Sequence, residues 1–181
     1  MVIFFGPAGA GKSVQGQILA ARFGWRWLSA GQLLRDSHDV EVHQQMSTGG
    51  LVKFDKVNEI VREALIKAKD IPHVILDGYP RELGQAKWLI ETQPEHQRSI
   101  GLVVVLEVPR EELLHRLEIR GRSDDTAEII NQRLQIYRKE IYPILAYFNE
   151  LHIPIVHING TGTVGQVHDR IESELKLCSL V

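Results

Sequence analysis

The sequence predicts an α/β fold in which helices cover both faces of a parallel sheet of five strands. The first reason is a set of short, continuous apolar runs, because strands buried on both faces of a parallel sheet are apolar throughout. The second is that these runs alternate with helix-like segments, which indicates crossover connections between parallel strands. The third is the length of 181 residues, which suits one domain with a sizeable core.

Each element follows from its own segment. The predicted strands are residues 2–5, 25–28, 73–77, 101–108 and 153–158, of which 25–28 is the weakest. The predicted helices are residues 12–23, 55–68, 83–92, 110–120, 126–151 and 164–176. Asp125, with Glu128 three residues later, is expected to cap the longest helix. No repeat or linker interrupts this order, so residues 1–181 are expected to form a single domain.

Composition argues against several classes of function. The formal net charge is -2, which provides no overall field to hold nucleic acid or an anionic membrane. The first apolar run is five residues long, too short for a signal peptide or a membrane span. One cysteine, Cys178, excludes an internal disulfide and a zinc site made of several cysteines. A cytoplasmic protein that binds neither nucleic acid nor membrane is therefore expected.

The most specific motif is the segment GPAGAGKS at residues 6–13, which matches the P-loop pattern G-x-x-x-x-G-K-[ST] in full. A predicted strand precedes it and a predicted helix follows, as the motif requires. Glycines let the backbone curve so that several N–H groups point at one phosphate, and the helix presents its positive end. In this motif Lys12 reaches the β- and γ-phosphates and Ser13 faces Mg²⁺. The segment therefore predicts binding of a nucleoside triphosphate.

A P-loop alone is compatible with a kinase, a GTPase or a mechanical ATPase. The chain has no N-K-x-D segment of the kind that GTPases use to read guanine, and 181 residues are few for a motor. A kinase for a small substrate is thus the leading class.

A second segment, ILDGYPRELGQA at residues 75–86, follows a predicted strand. Asp77 is expected at the carboxyl end of that strand, beside the P-loop, where ligands bind in open α/β sheets. A carboxylate there can hold water around Mg²⁺, and a plain turn before Gly78 is the competing explanation. Arg81 projects from the same turn and is a candidate to bind a phosphate with two N–H groups.

Arginines concentrate in HRLEIRGRSDD, residues 115–125, and Arg133 follows soon after. Arg116 and Arg120 lie four residues apart on one helix face, where like charges cost a few tenths of a kcal/mol, roughly. A polyphosphate bound between them reverses the sign of that interaction. The alternative is a solvated basic helix end with Glu112 paired to Arg116. The two preceding segments favour the polyphosphate, because phosphoryl transfer needs cations that stay charged.

Six segments in one order give the chain a resemblance to the adenylate kinase and UMP–CMP kinase family, over Val2 to about Ile171. They are GPAGAGKS, LSAGQLLRD, GGLV, LDGYPRELGQA, RLEIRGRSDD and NQRLQIY. The resemblance implies a P-loop three-layer sandwich with an inserted segment for the nucleoside monophosphate (NMP), about residues 29–52, and a short lid, about 120–126. It implies phosphoryl transfer from ATP to an NMP with Mg²⁺. The absence of nearby cysteines excludes a zinc-bearing long lid.

The resemblance also implies a set of site residues. The implied catalytic residues are Lys12, Arg81, Arg120, Arg122 and Arg133. Those implied to bind ATP are Gly9, Ala10, Gly11, Lys12, Ser13, Val14, Arg116, Arg120 and Gly162. Those implied to bind the NMP are Ala30, Arg35, Gly50, Leu51, Val52, Gly78, Tyr79, Pro80, Arg81, Gln85, Arg122 and Arg133. Ser13 and Asp77 are implied around Mg²⁺, mainly through water.

Within this set the resemblance assigns distinct roles. Arg35 and Arg81 bind the phosphate of the acceptor, and Gln85 bonds the edge of its base. The backbone of residues 51–52 also faces that base. Arg116 and Gly162 lie along the donor base. Arg120 contacts the ATP phosphates, and Arg122 and Arg133 clamp the transferring group.

Three positions depart from the family pattern and leave alternatives open. Ser13-Val14 stands where Gly-Thr is usual, Gln32 stands where Asp is usual, and Ala30 replaces the Thr of adenylate kinases. AMP is the expected acceptor because DGYPRE and Gln85 favour it, whereas LSAG favours CMP or UMP. A P-loop module that has lost catalysis is the alternative from another class. The protein is expected to be a monomer.

Overall fold

The computed structural model describes residues 1–37, 42–44, 53–121 and 126–181. These residues form one sheet of five parallel strands in the order β2-β3-β1-β4-β5. The strands are β1 (Val2–Phe5), β2 (Arg26–Ser29), β3 (Val74–Asp77), β4 (Leu102–Glu107) and β5 (Ile155–Asn159). The five-stranded parallel sheet expected from the sequence is confirmed.

The side chains of β1 alternate between two hydrophobic cores. Val2 and Phe4 lie in one core, and Ile3 and Phe5 lie in the other. Burial on both faces explains why the whole segment is apolar, since neither face meets water. With helices packed on both faces, the molecule is the three-layer α/β sandwich that the sequence predicts.

Helices with described bounds are α1 (Lys12–Phe23), α2 (Ala30–Asp36), α3 (Phe54–Lys67), α4 (Leu83–Glu91), α5 (Gln93–His96), α6 (Arg110–Arg120), α7 (Ala127–Glu150) and α8 (Val164–Leu177). Six of them match predicted helices to within one residue at each end. The sequence did not predict α2 and α5, because seven and four residues are too few for an apolar period to repeat.

The capping prediction for the longest helix is wrong by one residue. Thr126, not Asp125, is the N-cap of α7, and its hydroxyl accepts a hydrogen bond from the Ile129 backbone N–H at 3.4 Å. Thr126 has the extended backbone typical of an N-cap, and Thr, like Asp, can accept this bond.

Strand register places the two most informative segments side by side. In the β1–β3 pair, Phe4 is opposite Asp77, so the P-loop after β1 and the turn after β3 leave the sheet at the same edge. Ser29, at the end of β2, is also opposite Asp77. Within the described ranges, no helix has both the length and the apolar character that crossing a bilayer requires.

Candidate active site

The P-loop is a tight turn between β1 and α1 that two of its glycines make possible. Gly9 and Gly11 have φ angles of +85° and +94°, which residues with a side chain rarely adopt. A Cβ on Gly9 would also lie 3.1 Å from the backbone oxygen of Leu113. The amide N–H of Ala10 closes the turn by donating to the Pro7 oxygen at 3.2 Å. The sequence motif therefore corresponds to the loop shape that wraps a phosphate.

Lys12 is the first residue of α1, and its side chain reaches back to the start of the P-loop. Its Nζ donates to the backbone oxygens of Gly6 at 2.7 Å and Pro7 at 2.9 Å. The amine is enclosed by protein although part of the residue opens onto the cleft, and burial lowers its pKa to about 8. Asp77 opposes this shift, whereas Arg81 and Arg120 add to it. A bound polyphosphate would bring further negative charge to this amine and would favour its protonated form.

Positive charge converges on one cleft of about 300 Å³ at this edge of the sheet. The cationic residues that line it are Lys12, Arg35, Arg81, Arg120 and Arg133, from five separate parts of the chain. Among the described lining residues, only Asp77 and Glu140 carry carboxylates. Because these like charges repel one another, a ligand with several negative charges is complementary to the cleft.

The turn after β3 brings Arg81 to the centre of this charge. Its Nε donates to the Gly78 oxygen at 2.8 Å, which fixes the side chain over the turn. The surrounding protein lowers the pKa of the guanidinium, and Arg133 and Arg35 lower it further, while Asp77 acts in the opposite direction. An arginine keeps its charge at neutral pH in spite of such a shift.

Other residues of the same turn serve different purposes. Gly78 and Pro80 line the cleft, and the Tyr79–Pro80 peptide bond is cis. The ring of Tyr79 is buried in the core, and its hydroxyl donates to Asn58 Oδ1 at 2.8 Å. Tyr79 therefore anchors the turn from beneath, and its side chain does not line the cleft.

Asp77 and Ser13 meet at the mouth of the P-loop. The Ser13 hydroxyl donates to Asp77 Oδ2 at 2.6 Å, so the helix and the strand are joined at the point where the phosphates would lie. A hydroxyl and a carboxylate are the oxygen ligands that Mg²⁺ prefers, directly or through water. In the part of the chain that the structure describes, no group of three or more His, Cys, Asp or Glu side chains could hold a metal ion. The Ser13 hydroxyl and the Asp77 carboxylate are groups of the kind that hold a hydrated Mg²⁺.

The other end of the cleft is apolar. Its walls come from helices far apart in the sequence: Ala30 and Leu34 of α2, Val57 of α3, and Ile136, Tyr137, Ile141 and Ile144 of α7. Gln85 of α4 is the amide in this region, and it is almost fully buried. Its Oε1 accepts from the Arg81 backbone N–H at 2.7 Å, and its Nε2 donates to Glu82 Oε1 at 3.3 Å. An apolar part of the lining that also contains an amide suits a nucleotide base, and we call it the base slot.

Six of the nine predicted ATP-binding residues are not part of the lining of this cleft: Gly9, Ala10 and Gly11 of the P-loop, and Val14, Arg116 and Gly162. Arg116 pairs with Glu112 at 2.7 Å and donates to the Gly160 oxygen at 3.1 Å, so it joins α6 to the loop after β5. Gly162 lies in that loop with a φ angle of +98°, and Val14 is 46% exposed on α1. The Glu112–Arg116 pair, which was part of the alternative explanation of a solvated basic helix end, is thus present, and the guanidinium also contacts the loop after β5.

Several predicted residues fall outside the described ranges: Gly50, Leu51, Val52 and Arg122. Of the NMP-binding segment, residues 29–37 and 42–44 are described, and of the lid, residues 120, 121 and 126. Sequence reasoning missed the α7 wall of the base slot, because its apolar residues look like ordinary core positions. It also missed Trp27, whose indole N–H donates to Asp77 Oδ2 at 3.3 Å.

Comparison with known proteins agrees with this geometry. A family model described as adenylate kinase matches residues 4–153. An adenylate kinase of Thermus thermophilus is 38% identical over 184 residues, covering 96% of both chains. Adenylate kinases of Prochlorococcus marinus and Mycobacterium ulcerans are each 36% identical, over 96% and 93% of this chain and 97% and 95% of their own. With a P-loop, a cationic cleft and matches along nearly its whole length, the chain belongs to the adenylate kinase family.

Proposed function

We propose that the protein catalyses the reversible transfer of a phosphoryl group from ATP to AMP, giving two ADP, with Mg²⁺. The observation that carries this proposal is the single cleft in which cations meet from two sides. Lys12 comes from the P-loop, which suits the donor, and Arg35 and Arg81 come from α2 and the turn after β3, which suits an acceptor phosphate. A cleft with both halves brings the two phosphates together, as transfer between them requires.

On the donor side, Lys12 exchanges its two bonds to loop oxygens for bonds to the β- and γ-phosphates. The P-loop N–H groups and the positive end of α1 hold the same oxygens. Arg120, at the carboxyl end of α6, reaches this region across the cleft. Together these groups fix the γ-phosphorus in front of the acceptor.

During transfer, an oxygen of the AMP phosphate forms a bond to the γ-phosphorus, and the bond from that phosphorus to the β–γ bridging oxygen breaks. Negative charge spreads over the three equatorial oxygens, and no proton has to move. Arg133 of α7 lines the cleft, and we propose that it meets this charge together with Arg122. Preorganised cations that meet developing charge are a large source of catalysis.

Ser13 and Asp77 are the residues that would hold Mg²⁺, because they offer a hydroxyl and a carboxylate 2.6 Å apart at the P-loop. Bound there with the nucleotide, the ion would neutralise phosphate charge. Gln32, which replaces the usual carboxylate of the family, does not join this pair. Its Nε2 donates to Asp36 Oδ1, and its Oε1 accepts from Arg35 Nη2.

The acceptor base is proposed to be adenine. Gln85 has used one lone pair of Oε1 and one N–H of Nε2 in internal bonds, so one acceptor and one donor position remain. An adenine edge offers a donor and an acceptor that match this pair. Ala30 adds no hydroxyl to the slot, which is the specific observation that keeps CMP or UMP as the second candidate.

A purified-protein assay tests the proposal directly. ATP, Mg²⁺ and one of AMP, CMP, UMP or GMP are mixed, and the diphosphate products are separated and counted. We expect the highest kcat/KM for AMP. A higher value for CMP or UMP would move the protein to the second candidate, and no product with any NMP would identify a binding module without catalysis. A cytoplasmic location and a monomeric state stay predictions from the sequence.

A further inference from the structure

Trp27 lies on the edge strand β2, beside the carboxylate of the candidate metal-binding pair. Its indole N–H donates to Asp77 Oδ2 at 3.3 Å, and Ser13 donates to the same oxygen at 2.6 Å. In the described part of the chain, both hydrogen bonds to this carboxylate end on Oδ2, which leaves Oδ1 for another partner. Two donors on one oxygen restrict rotation of the carboxylate about its own bond, because either rotation breaks a bond.

The indole reaches this position only because residue 16 is a glycine. A Cβ on Gly16 would lie 2.5 Å from Trp27 Cδ1 and 2.9 Å from Trp27 Nε1, closer than real Cβ contacts come. Gly16 is inside α1, where glycine is less favourable than alanine because it loses more conformational freedom on folding. Helix α1 therefore contains a destabilising glycine at the position where the indole of Trp27 packs against it.

An indole N–H is well suited to this task. It donates and cannot accept, and it does not titrate, so it is always the donor in a hydrogen bond to a carboxylate oxygen. The 3.3 Å distance is long for a hydrogen bond, so its effect is on orientation more than on strength. Groups that orient a metal-binding residue from behind typically change affinity or activity about 10- to 100-fold when removed.

We propose that Trp27, seated on Gly16, is a positioning residue that holds Oδ2 of Asp77 so that Oδ1 faces the hydrated Mg²⁺ of the nucleotide. The inference rests on the proposed function for its effect on turnover. Its structural part, the indole–carboxylate contact, concerns the ligand-free protein alone.

Kinetic variants separate positioning from packing. Trp27→Phe keeps an aromatic ring and removes the N–H, whereas Trp27→Gln restores an N–H at the same three bonds from Cβ. We expect Trp27→Phe to lower kcat about 10-fold and to raise the Mg²⁺ concentration for half-maximal rate, with the KM for AMP unchanged. Trp27→Gln should recover part of both losses. Equal losses in the two variants would mean that the ring, and not its N–H, matters.

Trp25→Phe is the matched control. Trp25 is buried against Phe23 and His73 and contacts no cleft residue in the ring or hydrogen-bond pairs of the described chain. Its loss should lower the melting temperature without changing kcat or the Mg²⁺ dependence. A decrease in kcat of the same size in this variant would mean that loss of packing near β2, and not loss of the Trp27 N–H, explains the effect, and it would contradict the proposal.

A measurement without substrate tests the contact itself. In ¹⁵N-labelled ligand-free protein, the indole cross-peak that disappears in Trp27→Phe belongs to Trp27. We expect Asp77→Ala and Gly16→Ala each to shift this cross-peak and to speed its exchange with water. An unmoved cross-peak in Asp77→Ala overturns the inference even if the enzyme is active. A shifted cross-peak in a protein without kinase activity would support the contact and reject the proposed function.

Discussion

The phosphate end and the base end of the cleft are built in different ways. At the phosphate end, one continuous segment of eight residues supplies the loop, the amine of Lys12 and the hydroxyl of Ser13, and the adjacent strand β3 supplies Asp77. At the base end, the walls come from α2, α3, α4 and α7, which are separated by long stretches of chain. The residues of the phosphate end are therefore mostly close together in the sequence, whereas those of the base end are brought together by tertiary packing.

The difference has a physical cause. Phosphates are recognised by backbone N–H groups and fixed cations, so a glycine pattern and a lysine are needed at set spacings. A base is recognised by apolar surface and a few polar contacts, and many side chains can supply these. The chemistry of the transfer should therefore be sensitive to single residues at the phosphate end, whereas the choice of base should change in smaller steps.

The largest effect is expected at Lys12. Lys12→Met keeps the aliphatic stem and removes the charge that we propose to contact the β- and γ-phosphates. We expect kcat/KM to fall on the order of 10³-fold, because a preorganised cation acts on the transferring group. Circular dichroism should show an unchanged fold.

Lys67→Met is the matched control, since Lys67 is an exposed lysine of α3 whose side chain is 78% exposed. Its activity should equal that of the wild type. Near-normal turnover in Lys12→Met would contradict the role given to the P-loop.

Arg133 should come next. Arg133→Ala removes a cation from the α7 side of the cleft, and we expect kcat to fall on the order of 10²-fold with a much smaller rise in the KM for ATP. Initial rates over a range of ATP concentrations separate the two parameters. Arg138→Ala, an exposed arginine on the same helix outside the cleft lining, should leave both parameters unchanged. A change in KM alone would make Arg133 an ordinary binding residue.

The features that the sequence predicts are again the local ones, and the features that it misses depend on contacts between distant segments. The P-loop, the end of β3 and six helices could be predicted, because each depends on a local pattern of apolar residues or glycines. The short α2 and the Thr126 cap could not, because two turns or one residue carry too little periodic signal. The seat of Trp27 on Gly16 and the α7 wall depend on contacts between distant segments, and no local pattern marks them.

The burial of the Lys12 amine should also make the free energy of unfolding depend on pH. Burial lowers its pKa from 10.5 to about 8, so between these two pH values the unfolded chain binds more protons than the folded chain. The free energy of unfolding should therefore rise with pH across this window, by up to about 3 kcal/mol from this group. Urea unfolding of the ligand-free protein at pH 8 and pH 10, compared with Lys12→Met, isolates the contribution of this amine. An equal change with pH in both proteins would mean that the amine is not buried when the cleft is empty.

The smallest effect is expected at the base end. Gln85→Ala removes the amide that we propose to read adenine, and it also releases the Arg81 N–H, which donates to Gln85 Oε1 at 2.7 Å. The second loss acts on the phosphate and should affect every NMP equally, so the informative quantity is the ratio of kcat/KM for AMP to that for CMP. We expect this ratio to fall about 3- to 10-fold, which corresponds to one hydrogen bond of ordinary net strength. Arg35→Ala is the control, because a phosphate contact should lower both values and leave the ratio unchanged. If Gln85→Ala also leaves the ratio unchanged, its amide positions Arg81 and does not read the base, and selectivity lies in the shape of the apolar slot.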